Sequence, residues 1–425
     1  MNTSLDRRSF FKWIAAFPLL GYMALEDLKN KAWGAVGGSA ADNIYTRIGV
    51  KPLINGRGVW TYLSGTLELP EVIAAKEQAA QHFVNIFELQ RAVGKRLAEL
   101  SGAESAMVTS GAAGGMAAAT AACMAGTDPA KIWQLPDPSG MKREVIVYPK
   151  RNAFDSALRL AGAKLIVCPT FDDVRKAFND DTVMVYTTVT GERLEQLLAI
   201  AKQAGVPLLL DQAAGIPPID SIRLYAKMGV DLYTFSGGKG LRGPQCTGLL
   251  FGRKDLIDAA VANYNPWEGA VCRAMKVGKE EIMGCLAAVE WWVKADIEEL
   301  DRTWRDRLAR IQKLAESVPG VTAEISGRGD RYRAPRVSIR WDEKAWGFTI
   351  ADCDRKLREG DPRIEVLTIG NNPPLVSAVR EIDAKLPPRA DEMHIMAQTL
   401  RPGDERIIGR RLREILGQAR KQVKA

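Results

Sequence analysis

The chain has 425 residues, a 46% hydrophobic fraction and a formal net charge of +8. This is an ordinary globular composition, long enough for two domains with sizeable cores. The positive balance does not argue for a nucleic-acid partner, because residues 401–425 alone hold eight Lys/Arg against three Asp/Glu, and a basic last helix is more often a solvated face.

The first motif is Asp6-Arg7-Arg8-Ser9-Phe10-Phe11-Lys12, followed by an apolar run from Trp13 to Leu25 that Pro18 interrupts. That run is too short to span a bilayer well. The paired arginines, the phenylalanine and the lysine match a twin-arginine export signal, against the alternative of an amphipathic N-terminal helix. Residues 1–41 are therefore expected to be signal and linker, the protein periplasmic or otherwise exported, and any membrane contact made only through the signal. A glycine-punctuated arm, residues 42–65, comes next.

Helices are predicted at Pro70–Phe83 and Glu88–Leu100. Strands follow at Ala106–Thr109, Glu144–Tyr148, Lys164–Val167, Val183–Thr187, Leu208–Asp211 and Asp231–Phe235, with helices between most of them. Such alternation predicts an α/β fold with a large, mostly parallel sheet covered on both faces, over residues 66–277. Gly278 to Ser317, apolar at helical spacing with Trp291, Trp292 and Trp304, is read as a long helix, and its Arg302, Arg305, Arg307 and Arg310 as solvated. With it, the remainder to residue 425 forms a smaller C-terminal α+β domain.

Within this frame three signals converge. Val108-Thr109-Ser110-Gly111-Ala112-Ala113-Gly114-Gly115 turns a short strand into an alanine-rich helix. The N–H groups and positive dipole end of such a helix start suit a phosphate monoester, which assigns Ser110, Gly111 and Ala112 to its binding. Val206-Pro207-Leu208-Leu209-Leu210-Asp211 is a buried-type strand ending in a carboxylate, followed by Gln212. Phe235-Ser236-Gly237-Gly238-Lys239-Gly240 presents one lysine between glycines that permit a close ligand approach. Ligands bind at the carboxyl ends of strands in open parallel sheets, so Asp211 and Lys239 are expected to be neighbours. A partly desolvated lysine suits a Schiff base with a carbonyl cofactor. A carboxylate for a pyridinium nitrogen, with Ser236 helping the phosphate, completes the arrangement that pyridoxal 5'-phosphate requires. The six cysteines show no CxxC or metal spacing and imply no zinc site or disulfide framework, and His82 and His394 stand in no recognisable motif.

The runs Val206–Pro218, Phe235–Leu250 and Gly102–Gly115 resemble the selenocysteine synthase-like family of fold-type I pyridoxal phosphate-dependent transferases, and within it the D-glucosaminate-6-phosphate ammonia-lyase branch. The resemblance covers roughly residues 45–420. It implies a homodimer or higher homo-oligomer acting on a small amino substrate by α,β-elimination or β-replacement, with an aminotransferase, a racemase or a non-catalytic exported binder as alternatives. It places Arg57 and Tyr62 of the arm near the substrate, and Arg336 is the candidate carboxylate clamp. Transfer RNA is not an expected partner, since an export signal and linker precede the arm. Two departures stand out. Arg57 replaces what is usually a small residue, and the stretch Lys150 to Asp155 lacks the histidine or tyrosine that often stacks on the cofactor, leaving Asn152 and Phe154 as candidates.

Overall fold

The computed structural model describes residues 43–327, 334–368 and 392–422. The export motif at Arg7, Arg8, Phe10 and Lys12 lies outside them. The chain divides into two compact units. Among the described residues the smaller holds 43–54 and 359–364; the strand β1 (Leu53–Asn55) pairs with β11 (Arg363–Glu365). The larger unit holds everything that concerns the site.

Its centre is a seven-stranded sheet of order β2-β8-β7-β6-β5-β3-β4. The strands are β2 (Ser105–Ser110), β3 (Glu144–Tyr148), β4 (Lys164–Val167), β5 (Thr182–Thr187), β6 (Leu208–Asp211), β7 (Leu232–Ser236) and β8 (Thr247–Gly252). From β4 to β7 the pairing is parallel, while β8 runs antiparallel between β2 and β7. β3, β5 and β6 are buried along their whole length, as near-continuous apolar strands covered on both faces must be. The mostly parallel α/β sheet is the one expected, and β8 is the strand that breaks the pattern.

Numbering helices of eight or more residues, α1 is Pro70–Ala80, α2 Ile86–Ser101, α3 Gly111–Ala125, α4 Glu192–Gln203, α5 Ser221–Met228, α6 Lys254–Ala262, α7 Lys279–Lys294, α8 Ile297–Glu316, α9 Ile350–Glu359 and α10 Asp404–Gln422. α3, almost all Ala and Gly, is buried on nearly every side. Small side chains let it lie against β2, β7 and β8 at once. Residues 322–396 contribute a four-stranded antiparallel sheet of order β12-β13-β10-β9, with β9 Thr322–Ser326, β10 Arg336–Arg340, β12 Leu367–Thr368 and β13 Met393–Met396.

The single long helix read over Gly278 to Ser317 is two helices. The Asp296 carboxylate accepts from the Glu298 and Glu299 N–H groups and so starts α8 afresh. Nor are the arginines of α8 simply solvated. Arg305 bonds Asp301 and the Gly327 carbonyl, Arg307 bonds the Leu400 carbonyl, and Arg310 pairs with buried Glu405 at the start of α10. Only Arg302 is spent on an exposed neighbour, Glu299. α10 then buries Ile408, Leu412, Ile415 and Leu416 on its inner face against α8.

Gly94 shows how closely α2 sits on the sheet. A Cβ there would lie 2.2 Å from the Ala106 carbonyl oxygen, a backbone atom that cannot turn aside. Gly94→Ala should therefore lower the unfolding free energy by about 1–3 kcal/mol through overpacking, even after a gain of up to about 1 kcal/mol in helix propensity. Urea unfolding reads this directly, and a variant as stable as the parent would contradict the close contact.

Candidate active site

The lysine turn is rigid because almost nothing larger than hydrogen fits inside it. β7 is anchored by an aromatic cluster in which Tyr233 stacks on Phe251 at 5.3 Å and Phe235 meets Tyr233 edge-on at 6.1 Å. Beyond Ser236 the Gly237 N–H donates to the Thr247 carbonyl at 2.7 Å. A Cβ on Gly237 would reach 2.0 Å from Thr247 Oγ1, and one on Gly238 would reach 2.3 Å from Gln245 Cα. Arg242 takes φ +59°, a conformation costly for any residue with a Cβ and held here by bonds on both sides. Its N–H donates to the Lys239 carbonyl, its Nε to the Leu67 carbonyl, and its own carbonyl accepts from Leu69 N–H. From α7, Trp292 Nε1 donates to the Leu241 carbonyl at 2.7 Å.

Residues 61–66, where the arm ends, strap this turn from outside. Thr66 Oγ1 donates to the Lys239 carbonyl at 2.7 Å, Gln245 Nε2 donates to the Thr61 carbonyl at 2.8 Å, and a Cβ on Gly65 would overlap the Gly238 carbonyl oxygen at 2.2 Å. Sequence reasoning brought the arm near the site but did not find Thr66 or Gln245, since neither carries a local signal.

Asp211 and Lys239 are brought together at the carboxyl ends of β6 and β7, near enough for each charge to act on the other. Burial pushes the Asp211 carboxyl above the usual carboxylate range, while the Ala213 N–H, the Tyr186 hydroxyl and the Lys239 charge pull it back. Burial lowers Lys239 below the ordinary lysine value, and the Asp211 charge raises it in part. The Lys239 Nζ lies 5.6 Å from the centre of the Phe154 ring.

At the start of α3, Gly111 takes φ +66° and Gly248 lies so close that a Cβ on it would be 2.3 Å from the Gly111 carbonyl carbon. The backbone N–H of Ser110 is already used, donating to the hydroxyl of buried Tyr264 at 2.5 Å. That leaves the Ser110 side chain and the first N–H groups of α3, at Gly111 and Ala112, as the donors of this corner that could hold a phosphate. Ser236 ends β7 opposite Gly248, its N–H donating to the Ala213 carbonyl. Gln212 turns its amide to the Thr188 carbonyl at 3.2 Å.

The remaining candidates divide. Arg57 is 2% exposed, donates to the Val366 carbonyl, and lies under Trp60 and Tyr62 at 5.3 and 5.8 Å from their ring centres, while Tyr62 is 41% exposed. Arg336 belongs to β10, paired with Ser326 and Met396 and beside His394. No contact of it with Asp211 or Lys239 is seen. Of the two candidates for the cofactor's face, Phe154 turns to the lysine, whereas Asn152 Nδ2 donates to Tyr186 Oη at 3.1 Å. Tyr186 was missed because a tyrosine inside an apolar strand reads as core. Among the described residues no group of three or more His, Cys, Asp or Glu could hold a metal.

The lysine's depressed proton affinity can be measured directly. In competitive acylation of the cofactor-free protein followed by peptide mass spectrometry, Lys239 should label with a pH midpoint below that of the exposed lysines. Asp211→Asn should lower the midpoint further, because it removes the charge that favours the ammonium form. A Lys239 midpoint at or above the ordinary lysine value would refute this account of the site.

Residues 167–326 match the family model described as aminotransferase class-V. The chain is 29% identical to the 5'-C-glycyluridine monooxygenase-decarboxylase of a Streptomyces species, over 88% of this chain and 92% of that protein. It is 28% identical to the D-glucosaminate-6-phosphate ammonia lyase of Salmonella typhimurium, over 75% and 88%. To the L-seryl-tRNA(Sec) selenium transferase of Moorella thermoacetica it is 25% identical, over 87% and 83%. The solved structure of a D-glucosaminate-6-phosphate ammonia-lyase superposes with a TM-score of 0.74 at 26% identity, covering 89% of this chain and 99% of that one. The residues of the site fit pyridoxal phosphate: a buried carboxylate, a lysine held partly out of water, and a glycine-opened helix start beside Ser236. The chain is thus a pyridoxal phosphate-dependent enzyme of fold type I, similar to D-glucosaminate-6-phosphate ammonia-lyase and selenocysteine synthase.

Proposed function

We propose that the protein is a lyase or transferase that removes or replaces a β-substituent of an amino acid or amino-sugar acid. The observation that carries this reading is the pairing of Lys239, held below its ordinary proton affinity, with buried Asp211. When bound, pyridoxal phosphate withdraws electrons from the substrate Cα and so makes its proton removable. Lys239 would hold the cofactor covalently and, once free as an amine, would take the proton from the substrate Cα. Asp211 would favour the protonated form of the cofactor's ring nitrogen. Ser110, Gly111, Ala112 and Ser236 would hold the phosphate, and Gln212 lies beside Asp211. Phe154 covers the lysine side. Tyr62, exposed above Arg57, faces the substrate, and Arg336 remains the proposed carboxylate clamp.

Similarity to an ammonia lyase and a selenium transferase supports departure of a β-group. Such a reaction leaves the cofactor in its aldehyde oxidation state, so no second oxo acid is needed. The test is incubation with β-substituted amino acids while ammonia, 2-oxo acid, oxygen and the cofactor spectrum are followed. Catalytic release of ammonia and 2-oxo acid without oxygen uptake is expected. Stoichiometric conversion of the cofactor to its amine, reversed only by added oxo acid, would make the protein an aminotransferase. Oxygen consumption with loss of CO2 would align it instead with the monooxygenase-decarboxylase relative. Asp211→Ala should retain bound cofactor yet lose about two orders of magnitude or more in kcat, the scale of removing one preorganised charge partner.

We further propose a homodimer, supported by large apolar side chains left uncovered in this chain, among them Phe83, Trp133 at 76% and Trp267 at 48% exposure. Export is proposed from Arg7, Arg8, Phe10 and Lys12 ahead of a short apolar run. Replacing Arg7 and Arg8 together by lysine should hold the protein in the cytoplasm, because the route reads the guanidinium pair; unchanged fractionation would count the segment as an ordinary helix.

A further inference from the structure

Behind Asp211 stands a chain of polar groups that the proposed chemistry does not yet use. Tyr186, 1% exposed in β5, donates its hydroxyl to Asp211 Oδ2 at 3.1 Å. The other carboxylate oxygen, Oδ1, accepts from Ala213 N–H at 2.9 Å. Asn152 Nδ2 donates to the Tyr186 oxygen at 3.1 Å, and the Phe154 N–H donates to Asn152 Oδ1 at 2.8 Å. The last bond matters most for direction. A backbone N–H can only donate, so it must face the amide oxygen of Asn152, and the amide nitrogen is left to face Tyr186. A tyrosine hydroxyl has one proton. With its oxygen accepting from Asn152, that proton goes to Asp211.

We propose that Asn152 and Tyr186 form a one-way hydrogen-bond relay that keeps the Asp211 carboxylate ionised, and thereby keeps the cofactor's ring nitrogen protonated. The inference rests on the pyridoxal phosphate reading of the site. Both are positioning residues, acting only through Asp211. Burial and the nearby Asp211 charge push the Tyr186 hydroxyl far above its ordinary value, so it remains a donor and never a base. Around Asp211 the facing titratable groups are Tyr186 from β5 and Lys239 from the turn. Behind Asn152, Arg151 and the buried Asp155 bind one another, and Asp155 also accepts from Asn152 N–H at 3.2 Å. The same short loop carries Phe154 toward Lys239 at 5.6 Å. One loop therefore sets both the carboxylate's donor and the aromatic face over the lysine.

The direction of the relay makes an unusual demand on its variants. Tyr186→Phe removes the donor to Asp211. Asn152→Asp keeps Tyr186 but offers its proton a second carboxylate, which draws it away from Asp211. Asn152→Ala leaves the hydroxyl free to keep donating to Asp211. Reconstituted with ring-15N-labelled pyridoxal phosphate, Tyr186→Phe and Asn152→Asp should both shift the nitrogen resonance toward the unprotonated form, and Asn152→Ala much less. kcat should fall roughly 10- to 100-fold in the first two, the scale of a hydrogen bond to a charged group, with KM changed little. Thermal unfolding of each cofactor-free variant controls for misfolding, and the two Asn152 variants, on a partly exposed loop, keep the test alive if Tyr186→Phe does not fold. A ring nitrogen equally protonated in all three variants overturns the relay. Equal effects of Asn152→Ala and Asn152→Asp overturn its direction. Failure of the parent chain to take up the cofactor at Lys239 would instead refute the reading beneath it, and the two failures cannot be confused.

Discussion

A carboxylate 7% exposed at the end of a parallel strand is unstable unless something answers its charge, and the site is built around that requirement. Asp211 receives two neutral donors, Ala213 N–H and the Tyr186 hydroxyl, and one charge, Lys239. None of the three removes the effect of burial, which still leaves the carboxyl more easily protonated than an exposed one. A protonated ring nitrogen from a bound cofactor is the group that would complete the set. The same burial works in the opposite sense on Lys239, which it makes a better free amine. Burial thus shifts the two groups in opposite senses, the combination that the proposed chemistry uses.

Holding that pair requires the lysine turn to be immobile, and glycine accomplishes this through close approach more than through unusual torsion. Gly237, Gly238, Gly240 and Gly248 each bring backbone against a neighbour at distances no Cβ could share. Thr66, Leu67 and Leu69 clamp the outside of the turn, and Trp292 clamps it from α7. Apart from the Arg242 Nε bond to the Leu67 carbonyl, each of these bonds is made to the turn's backbone. The turn's shape is therefore maintained without committing any side chain that the chemistry needs.

α3 shows the same economy at the corner beside Ser110. Its run of alanine and glycine has no strong amphipathic face because it has no solvent face, and Gly115 lies so close to β7 that a Cβ would meet Thr234 Oγ1 at 2.8 Å. The helix start can reach a ligand only because its body is sunk into the sheet. Tyr264, arriving from beyond α6, then uses up one N–H at Ser110 and so narrows the donors left at this helix start.

The sequence alone determined what local chemistry can encode. Apolar strands of four to six residues separated by helical spacing specified the α/β class, and a strand ending in Asp211 together with a glycine-flanked Lys239 marked the site. Those signals are local, since backbone freedom and period are set within a few residues. Tertiary structure alone decided which distant residues meet. The antiparallel insertion of β8, the break of the long helix at Asp296, Thr66 on the lysine turn and the bond of Arg307 to the Leu400 carbonyl leave no periodic trace. Asn152 and Phe154 look interchangeable in sequence, yet the fold sends one to Tyr186 and the other to Lys239. A tyrosine in a buried strand reads as core until a second strand, 25 residues later, brings a carboxylate to its hydroxyl. The physical reason is that a hydrogen bond's worth depends on its buried surroundings, and those are assembled only when the chain closes on itself.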